Sequence, residues 1–407
     1  MKLKTKKINH CLLCKNKKIK KIFSLGNLFV SNFVKKNNIK KGTKAPLKLY
    51  YCNSCSLIQL SHIAPQELMY KRHYWYRSGV TKIMKDGLKN IFLESLKHVK
   101  LKKKDVILDI GANDGTLLNY YKKKNFTTIG CEPARNLQKS LLKNCHYSLN
   151  DFWSKKKLNQ IILKYRLKKP KIITAIGMFY DLEYPNEFIK DAADSLDDNG
   201  IFIAQLMCLK SMIEKNDLGN ICHEHIEFYS LKSIKFLFEK NGFEIFKIEE
   251  NDINGGSYRI YCRKFKKGSI KLPQENVLKL MQGFIKRVKK NKATIVNFIN
   301  KKIKENKKIF LYGASTKGNT VLQYYGLNSK KIPYAAERSP EKWGRYTIGT
   351  GIKIISEDQA RDLKPDYFFI TPWGFVNEFI KRERNWLKKG GSFILPFPKF
   401  KIIKYND

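Results

Sequence analysis

The stretch Val106-Ile107-Leu108-Asp109-Ile110-Gly111-Ala112-Asn113-Asp114-Gly115-Thr116 decides the fold. Its first half is apolar and β-branched, with one acid, which reads as a strand buried on both faces. Its second half is a glycine-rich turn into a helix start. Glycines at that point let the backbone come close to a ligand, at the carboxyl end of a strand where α/β folds bind their ligands. The spacing is not the G-x-G-x-x-G of dinucleotide binders. Glu132 closes the next apolar run, about 20 residues on, where a carboxylate can accept both hydroxyls of a ribose.

Working outward, apolar runs and amphipathic stretches alternate. Thr127–Cys131, Lys171–Ile176 and Gly200–Leu206 read as strands, with a helix over Glu187–Leu196 and another from Thr81. Alternation of this kind predicts a parallel sheet covered by helices on both faces. Phe243–Asn251 and Ser257–Arg263 flank Asn254-Gly255-Gly256 and predict a closing hairpin. A long amphipathic helix, about Gln274–Lys307, leads into a second alternating unit. Its predicted strands are Lys308–Tyr312, Ile332–Ala336, Tyr367–Ile370 and Ser392–Pro396, with a helix over Asn319–Tyr325. No internal repeat is evident in the sequence.

Residues 1–70 have little helical periodicity and carry Cys11-Leu12-Leu13-Cys14 and Cys52-Asn53-Ser54-Cys55. Two thiolates at this spacing can face one Zn²⁺, and two such pairs complete a closed, structural tetrahedral site. A redox C-x-x-C would need a βαβ setting that this region lacks. With nine Cys in all, metal binding plus free thiols fits better than a disulfide framework.

Composition bounds the rest. The 407 residues are 43% hydrophobic, with 25 Phe and 21 Tyr, which excludes a wholly disordered chain and predicts two or three domains. No run reaches the roughly 18 uncharged apolar residues of a membrane span. The basic start is not followed by an apolar stretch, so no secretory signal and a cytoplasmic location are expected. The net charge is +46, from 81 Lys and Arg against 35 acids, but most of the basic residues are scattered Lys. Nucleic-acid readout relies more on Arg, so an anionic small substrate is expected and a nucleic-acid partner is not.

Two further motifs carry chemistry. Ile221-Cys222-His223-Glu224-His225-Ile226-Glu227 packs two His and two Glu together. General acid–base work, a metal site and a polar turn are the three readings, and the first is favoured because His titrates near neutral pH. The zincin spacing is absent. On a strand, both His would share one face with Glu224 opposite. Tyr312-Gly313-Ala314-Ser315-Thr316-Lys317-Gly318-Asn319 starts a helix, and that helix N-terminus is either an anion site or a structural glycine turn. It is not a Walker A loop, because Lys317 precedes Gly318.

The glycine turn with Glu132 resembles the S-adenosylmethionine site of class I methyltransferases. The whole series of motifs, from the paired C-x-x-C to H-E-H, Asn254–Ser257 and Gly313–Asn319, resembles the nucleotide-sugar C-methyltransferase family. The resemblance implies an α/β architecture: a zinc-binding module (1–70), a class I methyltransferase Rossmann-like core (71–265) and a C-terminal Rossmann-like substrate-binding domain (266–407). It implies S-adenosylmethionine held by Asp109, Gly111, Asn113, Asp114, Gly115 and Glu132, and structural zinc held by Cys11, Cys14, Cys52 and Cys55. It also implies a nucleotide-sugar acceptor touched by Ser315, Lys317 and Asn319, and methylation of a carbon beside a ketone through an enolate. His225 matches the family's base, Glu224 its partner and Tyr76 a Tyr facing the reacting centre. Two positions depart from the family pattern. Cys222 stands where a Tyr is frequent, and Asp181 stands where a His is frequent. The rival readings are an O-methyltransferase on a sugar or other small anionic acceptor, and a zinc-containing RNA-binding protein or RNA methyltransferase. A monomer or weak homo-oligomer is expected.

Overall fold

Val106–Ile110 is buried along its whole length and lies between two parallel neighbours, Ile172–Ile176 and Thr127–Cys131. That burial on both faces is why the run is apolar at every position but Asp109. The computed structural model describes residues 5–405 except Arg72, so Lys2 and Lys4 of the N-terminal lysine run lie outside the described residues.

The central sheet has seven strands in the order Phe243–Asn251, Ser257–Lys264, Ile201–Met207, Ile172–Ile176, Val106–Ile110, Thr127–Cys131, Tyr147–Leu149. Ser257–Lys264 runs antiparallel to both of its neighbours, while the strands from Ile201–Met207 to Tyr147–Leu149 pair in parallel. This is the class I methyltransferase sheet, and the hairpin expected across Asn254–Gly256 supplies its reversed strand. The Tyr147–Leu149 edge strand has only three residues, too few for a period-two signal, so the sequence did not reveal it.

The C-terminal unit is a second mixed sheet, centred on Ile309–Tyr312. Parallel neighbours lie on either side of it, Tyr367–Ile370 and Tyr334–Glu337. The helix Val277–Lys304 connects the two units. It turns Val277, Met281, Phe284, Val288, Ile295 and Ile299 inward at helical spacing. Each such burial contributes about 1.5–3 kcal/mol. Its polar face ties both sides, through Arg287 to Ile213 O (2.8 Å) and Asn291 to Pro396 O (2.7 Å).

The N-terminal residues are woven into both other units. Ile19–Phe29, Lys44–Cys52 and Ile58–Leu60 form an antiparallel sheet whose fourth strand is Glu227–Phe228, the residues just after His225. Phe33–Val34 pairs with Tyr346–Thr347 at the edge of the C-terminal sheet. Local sequence patterns could not show either pairing, because both join residues far apart in the chain. No helix among the described residues is long and apolar enough to cross a membrane.

Candidate functional site

The first turn after the central strand is held open by its glycine. Gly111 has φ +73°, and a Cβ there would meet Met178 Cγ at 2.6 Å. Its N–H donates to Cys131 O (2.8 Å), which fixes the turn against the next strand end. Glu132, at 6% exposure, accepts from Asn113 N (2.9 Å) through one oxygen and from Ala134 N (2.8 Å) through the other. Burial pushes its carboxyl upward and these two N–H donors oppose the shift. Each oxygen keeps a lone pair for a ligand hydroxyl. Asp109 accepts from Thr174 Oγ1 (2.6 Å); burial pushes it up to about 7, and nearby Glu132 adds to the shift.

Asp109, Gly111, Asn113 and Glu132 line one cavity of about 300 Å³. Asp114 and Gly115 do not line it. Asp114 instead accepts from Gly79 N (2.7 Å) and from Thr116 Oγ1 (2.6 Å), while Gly115 caps the helix with φ +78° beside Asn144. Asn113 also accepts from Ser78 N (3.0 Å) and donates to Tyr76 O (3.2 Å). The turn therefore grips the Tyr76–Gly79 segment against the cavity. That puts Tyr76 in the cavity wall.

A second cavity, about 290 Å³, is lined by Cys222, Glu224 and His225 on one side and by Ser315, Lys317 and Trp373 on the other. The two cavities share the walls Tyr76, Tyr180, Asp181, Asn254 and Lys317, so they meet at one junction. Lys317 reaches it from the C-terminal unit and donates to Asn220 Oδ1 (2.8 Å). Asn319 is not in either wall. Its amide is used inside the C-terminal unit, to Ile348 O (3.0 Å) and from Thr350 Oγ1 (2.8 Å). Ser315 lines the second cavity and caps its helix by accepting from Gly318 N (2.9 Å).

The H-E-H segment is not a strand. Cys222–Glu224 form a bend, and strand pairing begins only at Glu227. The two His therefore part company, contrary to the shared face expected from the spacing. His223 faces the N-terminal sheet, with Nε2 donating to Ala45 O (3.0 Å), and burial pushes it down to about 4. His225 lines the second cavity. Its Nδ1 lies 2.7 Å from Asn220 O, and a carbonyl only accepts, so Nδ1 carries the proton. Burial first, and the Lys317 charge second, hold His225 well below the usual histidine range. The neutral ring then offers the lone pair of Nε2. Tyr180 packs edge-on against it at 4.5 Å.

Two carboxylates border the same space. Asp181 Oδ1 and Glu224 Oε2 are buried without a hydrogen-bond partner among the described residues. Burial, and then the Glu224 charge, push Asp181 well above the usual carboxylate range, and Lys317 opposes this. Sequence reasoning missed Tyr180 and Trp373 as site residues. Trp373 lies just beyond the Tyr367–Ile370 strand, where the rule that ligands gather at carboxyl ends could have found it.

In the N-terminal sheet, the four Cys converge. Cys11 and Cys55 sulfurs lie 3.4 Å apart, Cys14 and Cys52 3.5 Å, and all four within 4.8 Å of one another. Four converging thiols, three of them buried, are the donor set of a tetrahedral thiolate zinc site, with no open position.

Three family models match the chain in order: a zinc-binding domain over residues 11–70, a methyltransferase domain over 76–248 and a C-methyltransferase C-terminal domain over 252–398. The C-methyltransferase NovU of Streptomyces niveus is 24% identical over 373 residues, spanning 89% of this chain and 88% of that protein. Among solved structures, the magnesium protoporphyrin IX methyltransferase of Synechocystis PCC 6803 with bound SAH is 10% identical, covering 47% of this chain and 91% of that one, with TM-score 0.36. The PH0226 protein of Pyrococcus horikoshii OT3 is 14% identical, covering 47% and 95%, with TM-score 0.37.

Two outcomes are expected. The purified chain should carry close to one zinc, measured by elemental analysis, and chelation should expose the N-terminal sheet to proteolysis before the cofactor cavity opens. Glu132→Ala should weaken S-adenosylmethionine binding roughly ten- to a hundredfold in calorimetry, because hydrogen bonds to a charged acceptor are worth about 1.5–3 kcal/mol. Unchanged affinity would place the ribose elsewhere.

Proposed function

We propose that this chain, which belongs to the zinc-containing, S-adenosylmethionine-dependent C-methyltransferases, methylates the carbon beside the ketone of a nucleotide-linked sugar, with His225 as base. The observation that carries the proposal is that the two cavities share Tyr76, Tyr180 and Lys317, with His225 in the wall of the second and packed on Tyr180. A reacting carbon placed there would lie between the cofactor turn and the imidazole.

A ketone makes the neighbouring C–H acidic. His225 Nε2 takes that proton, and Asn220 O keeps the ring in the tautomer that leaves Nε2 free. The electron pair left on carbon delocalises onto the ketone oxygen. Lys317 is the ammonium available to stabilise that oxygen at the junction. Bound S-adenosylmethionine supplies an electrophilic methyl on its sulfonium. The protonated His225 is disfavoured by the same burial that keeps it neutral at rest. It therefore passes the proton on readily, and Glu224 borders the same cavity as a carboxylate to receive or balance it. Ser315 and the helix start behind Lys317 support an anionic acceptor, the diphosphate of a nucleotide.

His225→Ala should lower turnover by about 10²–10⁴-fold while leaving cofactor affinity near wild type. Wild-type enzyme should exchange the acceptor's α-hydrogen for deuterium, and the variant should not. His223→Ala should destabilise the fold by freeing its tie to Ala45, yet change turnover far less. Because burial lowers the His225 pKa, the neutral base persists as pH falls through the ordinary histidine value of about 6.5. The acid limb of kcat should therefore lie below that value. Near wild-type turnover of the His225→Ala enzyme would remove the base assignment.

A further inference from the structure

Lys317 is a lysine set among acids. Asp181, Asp217 and Glu224 line the second cavity with it, and its charge acts on the Asp181 and Asp217 carboxyls against the upward push of burial. Yet among the described residues the Lys317 ammonium forms no ion pair. It donates instead to a neutral group, the side-chain oxygen of Asn220 (2.8 Å). The other end of the same amide, Nδ2, donates to Asp217 Oδ2 (3.0 Å). An ammonium only donates and a carboxylate only accepts, so the amide has one orientation: oxygen toward Lys317, nitrogen toward Asp217. Buried Asn220 thus stands between a cation and an anion that attract each other.

The members of this line are fixed from behind. Asp217 is buried, and its N–H donates to Met212 O (3.0 Å). Burial pushes its carboxyl up, and the Lys317 charge, the Trp373 indole and the Gly219 and Asn220 N–H groups oppose that push. Gly219 brings the Leu218–Asn220 turn onto the Thr316–Tyr325 helix: a Cβ there would stand 3.2 Å from Asp217 Oδ1 and 3.8 Å from Lys317 Cβ. The carbonyl of Asn220 accepts from His225 Nδ1 (2.7 Å). One residue therefore sets the tautomer of the imidazole through its backbone and the place of the ammonium through its side chain.

We propose that Asn220 is a positioning residue that acts as a neutral spacer: its amide keeps Lys317 from closing onto Asp217, so the ammonium meets the acceptor's ketone oxygen with its charge uncancelled. This rests on the roles proposed above for Lys317 and His225. An oxygen that gains charge as the α-proton leaves is best stabilised by a cation held in advance and not already neutralised. A carboxylate in contact with Lys317 would hold it equally well but cancel most of its field. The amide holds it and leaves the charge in place. The same spacing keeps that charge acting on His225, whose cavity wall also carries Asp181, Cys222 and Glu224 and whose ring meets Tyr180.

The test compares Asn220→Ala with the double variant, Asn220→Ala plus Asp217→Asn, on the full-length, zinc-loaded chain. Turnover is measured on a panel of nucleotide-linked keto-sugars, and the His225 titration is followed by NMR without acceptor. In Asn220→Ala, Lys317 closes onto Asp217. The kcat should fall roughly ten- to a hundredfold, the loss expected when a charge-assisted hydrogen bond goes. KM for the sugar should change little, because the ketone carries that charge only in the transition state. With the ammonium paired, His225 should titrate at a higher pH than in wild type. Adding Asp217→Asn removes the carboxylate that captures Lys317, so the double variant should regain turnover and its His225 should titrate lower again. A residue that only supported the fold would show no such recovery. Asn220→Ser, too short to reach both partners, replaces the alanine variant if that one melts below the assay temperature. Wild-type turnover in Asn220→Ala, or a double variant no more active than the single one, overturns the spacer. If the wild-type chain methylates no keto-sugar, the acceptor reading falls and the titrations decide the spacer alone. A His225 titration that rises in Asn220→Ala and returns in the double variant upholds it, and one that does not move overturns it.

Discussion

The pairing of Glu227–Phe228 with Ile58–Leu60 holds His225 in place. His225 lies two residues before that pairing, and Leu60 N donates to Ile226 O (2.8 Å) between them. Ile58–Leu60 in turn starts three residues after Cys55, one of the four converging thiols. A segment with a bend at Cys222–Glu224 has little local reason to keep one shape. Pairing on one side and the His223 bond to Ala45 on the other remove that freedom. The N-terminal sheet therefore acts as the wall against which His225 is braced. Its place at the start of the chain hides this role from a linear reading.

The second constraint is electrostatic. His225, Asp181, Glu224 and Lys317 crowd around one junction in a low-dielectric setting. Burial pushes Asp181 up and His225 down, each toward its neutral form. Lys317 partly restores the charge of Asp181 and further disfavours a charged His225. One ammonium thus favours a carboxylate at Asp181 that can accept hydrogen bonds and a neutral ring at His225. A group with this double influence has to come from outside the methyltransferase sheet. The C-terminal unit supplies it at the start of the Thr316–Tyr325 helix, and Gly219 lies against its side chain.

A glycine turn found in both units, Gly111 with Glu132 and Gly313 with Glu337, adds a third element. The same backbone arrangement, a strand end, a left-handed glycine and an acid on the adjoining strand, borders the first cavity in one unit and holds a lysine in the other. The backbone arrangement does not fix what the acid meets. The acid's contacts to the turn are main-chain bonds, indifferent to side chains, whereas what occupies its remaining lone pairs depends on a single residue, Lys342.

The sequence by itself determined the parts built from neighbours in the chain. Periodicity placed the strand Val106–Ile110, the hairpin across Asn254–Gly256 and the long helix Val277–Lys304, because burial on one or both faces leaves a local pattern. The spacing of Cys11, Cys14, Cys52 and Cys55 pointed to one cluster, and Gly111 with Glu132 pointed to one ligand turn. The tertiary structure alone decided how those parts face each other. It turned Asp114 from the cofactor cavity to Gly79, used up Asn319 within its own unit and sent His223 and His225 to opposite sides. It also brought Lys317 of one unit to Asn220 and Asp217 of the other. Each of these outcomes depends on a bond between residues far apart in the chain, such as Asp114 to Gly79 N or Lys317 to Asn220. Such bonds leave no periodic trace, since only the closed fold brings the partners within reach.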